Sequence, residues 1–513
     1  MSPALLAQVG GTTRPPLELP DVEYSAMAPA LILIAGALIL LVWVSVVRRR
    51  PPWLWAVFTL ATGAASMGAS LWLWFDVRDD GARRAVSDAL AIDGFSVFFF
   101  VLIGVAVILG ALLGEGYLRR EGFGGPEFYV LMLLSASGAM FMAAANDLIV
   151  VFLGLEILSI ALYVLAGFHG RRLESREAAM KYFVLGAFSS ALFLYGVALV
   201  YGATGSTNLV GIARYLADNL ALNNGVLLAG MALLLVGLGF KVAIVPFHTW
   251  TPDVYQGAPS PATGFMAAAA KAAGFAALLR IFFSTFSTLR LDWQPVIWGL
   301  AIVTLLVGSV LAVVQTDIKR MLAYSSISHA GYVLIGLQAG STNGIAGSLF
   351  YLLAYTFLVI GSFAVITAVG RRGDSRHSLG TYQGLAASRP ALAMAFAVLL
   401  LAQAGVPFTT GFLAKFYVIS AAVESKSYAL ALIGMLSAVV AAFFYLRVTV
   451  LMYMTPAPAD EGAGLSGGVV QVPPRLPLPL TTCIAVAVAV AFTIGFGLLP
   501  SPMVHFARQA TLL

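Results

Sequence analysis

Four ionisable side chains lie deep inside apolar stretches of this chain: Glu156, Lys241 in GLGFKVAIVPFHTW, Lys271 in GFMAAAAKAAGFAALL and Lys415 in AGVPFTTGFLAKFYVI. A charge at the centre of a bilayer costs roughly +2.5 to +3.5 kcal/mol on insertion scales. Such residues face a protein interior or a water-filled cavity, where they pair, relay protons or bind ions. Desolvation disfavours the charged form of an amine and a nearby carboxylate favours it, so a neighbour can switch its proton. That is the chemistry of a proton relay. Lys181 and His329, the latter in AYSSISHAGYVL beside Ser325, Ser326 and Ser328, complete the candidates. Histidine titrates in the range that suits proton transfer. Lys181 equally suits a lysine snorkelling to the interface, His329 a satisfied packing residue, and Lys415 a neutraliser of exposed helix carbonyls. His248 and Asp253 cap or stabilise a turn, and Arg280 and Arg447 read as interfacial or structural anchors.

The elements that must position these groups follow from composition. The chain has 513 residues, 60% hydrophobic and only 10% charged, with 1 cysteine. Soluble domains carry about 25% charged residues. This is an all-α polytopic membrane protein. Residues 1–26 lack the basic start and apolar core of a cleaved signal peptide, so the run from Met27 is the first anchor. The net charge of +6 belongs to basic membrane-flanking loops. No basic stripe interleaved with aromatics supports nucleic-acid binding. The lone Cys483 excludes an intrachain disulfide, a CxxC zinc site and a four-cysteine iron–sulfur cluster. Neither GxGxxG nor GxxxxGK[ST] is present, so nucleotide and electron chemistry are expected elsewhere, with no cofactor and no metal in this chain.

Windows of about 20 apolar residues predict fourteen spans. Three precede Leu113 (Met27–Val47, Trp53–Phe75, Asp93–Leu113). Five follow over 126–283: Pro126–Ala145, Asp147–Phe168, Ala178–Tyr201, Gly225–Gly257 and Pro261–Phe283. Five more occupy 293–454: Trp293–Val314, Arg320–Ala339, Gly344–Val369, Pro390–Glu424 and Tyr428–Met454. A loop over 455–476 leads to Leu480–Leu499, within a C-terminal segment 477–513. Alternate loops divide the Lys and Arg residues 15 against 8. The richer set holds Arg48-Arg49-Arg50, Arg119-Arg120, Arg171-Arg172, Arg176, Lys319-Arg320, Arg371-Arg372, Arg376, Arg389 and Arg475. By the positive-inside rule it faces the cytoplasm, and both termini face away from it.

Two spans are too long for straight helices. Gly225–Gly257 has 33 residues and Pro390–Glu424 has 35. At 1.5 Å per residue either would run about 50 Å, against a hydrocarbon core of about 30 Å. Each contains Val-Pro-Phe, at Val245-Pro246-Phe247 and Val406-Pro407-Phe408, and proline breaks a helix. With five spans in each half, the second copy must be upside down, and inverted repeats with a discontinuous helix in each half are a transporter signature.

PFHTWTPDVYQGAPSPATGF, from Pro246 to Phe265, with Lys241 before it and Lys271 after, resembles the signature of the antiporter-like subunits of respiratory complex I. TPDVYQGAPSP, AYSSISHAGY and GVPFTTGFLAKFY are most similar to the N-type members of that family. The resemblance covers roughly Asp93 to Met454. It implies fourteen helices with two inverted five-helix bundles. Within the first half it implies that Glu156 and Lys181 are paired charges and Lys241 the central lysine. Lys271 and His329 become the bridge between halves, and Lys415 the central lysine of the second.

The activity so implied is proton translocation by a membrane subunit of NADH:quinone oxidoreductase in the bacterial cytoplasmic (inner) membrane. FMN, iron–sulfur clusters and quinone belong to other subunits. Its implied partners are the lipid bilayer, the small membrane subunits and the M-type antiporter-like subunit. The M type usually carries a glutamate where this chain has Lys415, and the L type adds a lateral helix after the last span. The rival function is a subunit of a multi-subunit sodium/proton antiporter, which shares the fold.

Overall fold

The computed structural model describes residues 22–46, 51, 53–219, 224–370, 372–375, 377–456 and 478–510. The N-terminal segment up to residue 21 and the loop over 457–477 lie outside these residues. So do Arg48, Arg49, Arg50, Arg371, Arg376 and Arg475 of the orientation argument.

The first helices are α1 (Tyr24–Val46), α2 (Trp53–Asp80) and α3 (Gly94–Glu121). Between α2 and α3 lies a short antiparallel hairpin, β1 (Arg83–Ala85) and β2 (Leu90–Ile92), with Arg83 opposite Ile92. It is an addition to the expected all-helical fold. The charge of Arg83 is locally neutralised, because Arg83 pairs with Asp76 at 2.6 Å and Glu23 at 3.1 Å. Next come α4 (Pro126–Ala144), α5 (Leu148–Ala166), α6 (Leu173–Thr204) and a short amphipathic α7 (Leu209–Asp218). The first long span is broken into α8 (Gly225–Val242) and α9 (Trp250–Gly257). The following span runs from α10 (Ser260–Phe265) through a π-helical turn, Met266–Ala270, into α11 (Lys271–Leu279) and a second π turn, Arg280–Thr285. Then follow α12 (Arg290–Val313), α13 (Ile318–Ala339), α14 (Thr342–Val369) and the one-turn α15 (Leu385–Ser388). The second long span is broken into α16 (Pro390–Ala404) and α17 (Thr410–Glu424). The chain ends with α18 (Tyr428–Met454), α19 (Leu480–Leu498) and α20 (Ser501–Gln509).

Helix starts obey capping chemistry, since a side-chain oxygen satisfies an orphan N–H. Asp93 accepts from Ser96 N at 2.8 Å while Ser96 Oγ accepts from Asp93 N at 3.0 Å, a capping box at the head of α3. Asp147, Asp317, Ser341 and Thr409 start α5, α13, α14 and α17 in the same way.

Among the described residues, twelve helical spans are long and apolar enough to cross a membrane, against the fourteen expected. Of the two expected spans outside that set, one is α13, whose serines, His329 and Gln338 lower its apolarity. The other is the α16–α17 pair. Each half has 15 residues, about 22 Å of helix, short of the hydrocarbon thickness.

Both breaks fall at the Val-Pro-Phe triplets, and side chains supply partners to freed backbone groups, as an apolar interior requires. In the first, Ala243 turns left-handed at φ 62°. Trp250 Nε1 donates to Phe240 O at 3.0 Å, and Val245 N donates to Thr304 Oγ1 at 3.1 Å. In the second, Gly405 adopts φ 98°, and the Ala404 carbonyl accepts from Lys415 Nζ at 2.8 Å. A Cβ on Gly405 would be conformationally strained and would sit 3.1 Å from Lys415 Cδ.

The span over 260–285 and α14 are each buried throughout an 18-residue apolar stretch, and the other helices surround them. Without a hydrophobic drive between helices in lipid, small residues let backbones approach. A Cβ on Gly138 of α4 would lie 2.5 Å from Leu158 N, and one on Gly154 of α5 would lie 2.7 Å from Met142 N. Gly138→Val should therefore push α4 and α5 apart and lower stability by about 1–3 kcal/mol, the usual cost of overpacking. Thermal melting of the detergent-solubilised protein measures this, and an unchanged melting temperature would show that the two glycines are not the contact.

Candidate functional site

The three lysines singled out by their apolar surroundings are all buried. Lys241 ends α8, and its Nζ donates to Ser159 Oγ of α5 at 2.8 Å and to Tyr182 OH of α6 at 3.2 Å. Tyr182 stacks on Trp250 at 4.5 Å between ring centroids, and Trp250 meets Tyr255 edge-on at 6.3 Å. The helix bearing Lys271 passes close to Lys241: a Cβ on Gly274 would lie 3.4 Å from Lys241 Cγ.

Lys271 follows directly on the first π turn, a feature often found at functional sites. Its Nζ donates to both the carbonyl and the hydroxyl of Ser326 in α13, each at 2.5 Å. Tyr255 OH lies 3.4 Å from the same hydroxyl. One turn along α13, His329 is held at both ring nitrogens: Nδ1 is 2.6 Å from Tyr351 OH and Nε2 is 3.2 Å from Tyr445 OH. The His329 ring lies 6.5 Å from that of Tyr332, and Lys415 Nζ lies 5.0 Å from the Tyr332 ring centroid. Lys415 itself serves the end of α16, so the role of carbonyl neutraliser read from its position is real. Serine and tyrosine hydroxyls both donate and accept, so these contacts can serve an amine in either protonation state. No hydrogen bond joins Lys241 directly to Lys271 among the described residues.

Glu156 and Lys181 are not an ion pair, contrary to expectation. The α5–α6 turn does fall around His169, as the hairpin geometry requires. Lys181 nevertheless reaches Asp253 Oδ2 at 2.6 Å and Glu177 Oε1 at 2.7 Å, and its side chain is 41% exposed. Asp253 on α9 also accepts from Arg320 at 2.6 Å through its other oxygen, so it bridges the two cations and holds Lys181 toward α9. Glu156 is half-buried one turn before Ser159, with Oε1 unpartnered, and it interacts electrostatically with Lys241. Asp253 therefore does more than cap a turn: it ties the short half of the broken span to α6 and α13.

Two networks escaped the sequence reading. Arg280 is buried and grips Asp93 through two contacts at 2.8 and 2.9 Å, with its guanidinium 4.9 Å from the Phe95 ring centroid. It anchors as expected, but within the core. Lys319, counted above as a loop charge, is fully buried, donating to Ala258 O at 2.6 Å and pairing with Asp374 at 3.3 Å. Asp374 also holds Arg172 at 3.2 Å, accepts from Ser260 Oγ at 3.0 Å and lies 3.4 Å from His377. Burial alone would raise the Asp374 carboxyl, but Lys319, His377 and Arg172 outweigh it and hold it well below the usual carboxylate range. A signal existed in the sequence only as an acidic residue among loop arginines, which is unspecific.

Comparison with known proteins adds the following. Residues 145–441 match the family model described as NADH:quinone oxidoreductase/Mrp antiporter, transmembrane. NADH-quinone oxidoreductase subunit N of Trichlorobacter lovleyi is 44% identical over 83% of this chain and 85% of its own length. A chain of respiratory complex I from Thermus thermophilus superposes with a TM-score of 0.76 at 33% identity, over 93% of this chain and 98% of that one. A chain of the Mrp complex from Dietzia superposes with a TM-score of 0.81, over 94% of this chain and 96% of that one. At 22% identity that likeness shows a shared fold.

The lowered Asp374 carboxyl fixes the sign of an acid response. Its stabilisation is fully present above about pH 4, the ordinary carboxylate value, and is lost as pH falls through the lowered folded value. Asp374→Asn leaves Lys319 buried without its carboxylate and should cost about 3–5 kcal/mol. Thermal melts across pH check both effects: wild type loses stability in acid, whereas the variant starts lower and slopes less. Parallel slopes would acquit Asp374.

Proposed function

This chain belongs to the NADH:quinone oxidoreductase/Mrp antiporter transmembrane family, among its NADH-quinone oxidoreductase subunit N members, and from that membership we propose how it works. It is a multi-pass membrane subunit of a proton-translocating NADH:quinone oxidoreductase, and it carries protons rather than electrons. Glu156, Lys181, Lys241, Lys271, His329 and Lys415 form the relay. The observation that carries this reading is the succession of buried amines and hydroxyls from Lys241 with Ser159 and Tyr182, through Lys271 with Ser326, to His329 and Lys415. Lys241, Lys271, His329 and Lys415 have partners that tolerate gain or loss of a proton.

Redox chemistry in other subunits, where FMN, iron–sulfur clusters and quinone reside, shifts the charges at Glu156 and Lys181. The altered field changes the proton affinity of Lys241 through Glu156. Lys181 acts from the Asp253 side, so the first half responds through α9 as well as through α5. Protons then pass by way of Lys271 and His329 to Lys415. The two Pro-broken spans, α8–α9 and α16–α17, are corresponding members of two inverted five-helix repeats, which supports placing Lys241 and Lys415 in equivalent roles. The complex lies in the bacterial inner membrane, with both termini of this chain on the non-cytoplasmic side. Small membrane subunits and an M-type antiporter-like subunit adjoin it. A sodium/proton antiporter subunit is the weaker reading, because the 44% identity is to subunit N while the Mrp likeness is of fold.

In inverted membrane vesicles oxidising NADH, Lys241→Ala and Lys415→Ala should each more than halve the protons translocated per NADH while the complex still assembles. Pumping at the wild-type level in both variants would remove these lysines from the relay.

A further inference from the structure

The Tyr445 hydroxyl on α18 has three neighbours: Ser325 Oγ, His329 Nε2 at 3.2 Å and Gln403 Oε1 at 3.4 Å. A hydroxyl has one proton to give and two lone pairs, so three contacts can all be satisfied only if it donates once and accepts twice. The direction of each bond is then fixed by its surroundings. The Gln403 amide nitrogen donates to Leu399 O at 3.3 Å and to Ser362 Oγ at 2.8 Å. Leu399 O only accepts, and the Ser362 proton is committed to Leu358 O at 2.8 Å. The amide oxygen of Gln403 therefore faces Tyr445. An amide oxygen cannot donate, so Tyr445 spends its single proton there. Ser325 and His329 Nε2 must then both donate to Tyr445. Neutral His329 carries its proton on Nε2, and its bare Nδ1 accepts from Tyr351 OH at 2.6 Å.

We propose that Tyr445, oriented by Gln403, is a positioning residue that sets the His329 tautomer and thereby confines proton uptake by His329 to Nδ1, on the Tyr351 side. The inference rests on His329 belonging to the relay proposed above. A proton delivered to Nδ1 makes an imidazolium. Loss through Nε2 then requires the Tyr445 oxygen to take that proton as its own hydroxyl proton moves on. While that hydroxyl points at Gln403 the transfer is blocked, because the amide oxygen hands nothing onward. The Nε2 side opens when Tyr445 turns from Gln403 to Ser325, which takes up the Tyr445 proton as it passes its own to a water molecule on the exit side. One proton enters at Nδ1, one leaves at Nε2, and the ring ends as the other neutral tautomer. Uptake and release are thus held on opposite edges of one imidazole and are separated by rotation of a single hydroxyl.

The test uses the assembled complex in inverted vesicles, with protons per NADH and the solvent deuterium isotope effect on coupled NADH oxidation as readouts. Tyr445→Phe keeps the ring and removes the hydroxyl. Gln403→Leu keeps the hydroxyl and removes what orients it. Tyr445→Phe, which removes the group that must take the Nε2 proton, should slow the coupled proton step by about a hundredfold, the low side of what a positioned proton-transfer group supplies, whereas Gln403→Leu, which frees the hydroxyl from its block, should lower the protons translocated per NADH. Each should also change the isotope effect, which a packing defect would leave alone. Acting in series, they should be no worse together than Tyr445→Phe alone. Multiplying effects, or wild-type behaviour of Tyr445→Phe beside an impaired His329→Ala, would overturn the proposal while leaving the relay standing. Wild-type pumping by His329→Ala would instead bring down the relay through His329, and this inference with it. If Tyr445→Phe fails to assemble, Gln403→Leu decides, and an unchanged isotope effect there overturns the proposal.

Discussion

An ammonium group in an apolar interior must be given oxygen atoms, and the kind of oxygen it receives divides the cations of this chain into two classes. Arg280 and Lys319 receive carboxylates, from Asp93 and Asp374. A cation so paired stays charged, and breaking such a pair is costly. Lys241, Lys271 and Lys415 receive hydroxyls and backbone carbonyls instead. A hydroxyl donates to a neutral amine as readily as it accepts from an ammonium. Burial is the same in both classes, so burial alone does not mark function. The partner is what differs, and the helix breaks, π turn and serine face of α13 are what bring those partners into place.

The sequence reading succeeded where energetic cost is local and failed where it depends on a distant partner. A lysine among alanines and glycines is expensive wherever the chain folds, so Lys241, Lys271 and Lys415 stood out. The breaks at Pro246 and Pro407 were equally legible, because a missing N–H is a property of the residue itself. Lys319 looked like a basic loop residue because nothing in KRMLAYSS signals that Asp374, 55 positions away, lies against it. Lys181 looked like a partner for Glu156 on hairpin geometry, but Asp253, on the short helix after a break, comes within 2.6 Å. The trajectory of a chain through an irregular turn is not encoded in hydropathy. Nor are the directions of the bonds around His329, since Tyr351, Gln403 and Tyr445 come from three separate helices.

The loop after α14 shows how irregular backbone can become an organising element. Asp374 holds the turn before α6 through Arg172, the start of α10 through Ser260 and the start of α13 through Lys319. From the other side, Glu121 at the end of α3 accepts from Gly373 N at 2.6 Å, and Arg120 donates to Gly370 O at 2.8 Å. Elements from both halves of the chain thus converge on about five residues of loop. This gives the helices that present Tyr182, Lys271 and Ser326 a common reference point, so displacement of one is felt by the others.

The span over 260–285 and α14 each have an 18-residue apolar stretch with no face turned outward. Bilayers differ in thickness by a few ångströms, and spanning helices answer by tilting or by deforming the lipid around them. Here that adjustment falls on the outer helices, because the stretches that carry Lys271, Tyr351 and Tyr355 are buried within the protein. The middle of the proposed proton line is thereby insulated from membrane composition, and its spacing is set by side-chain packing rather than by the lipids in which the protein happens to reside.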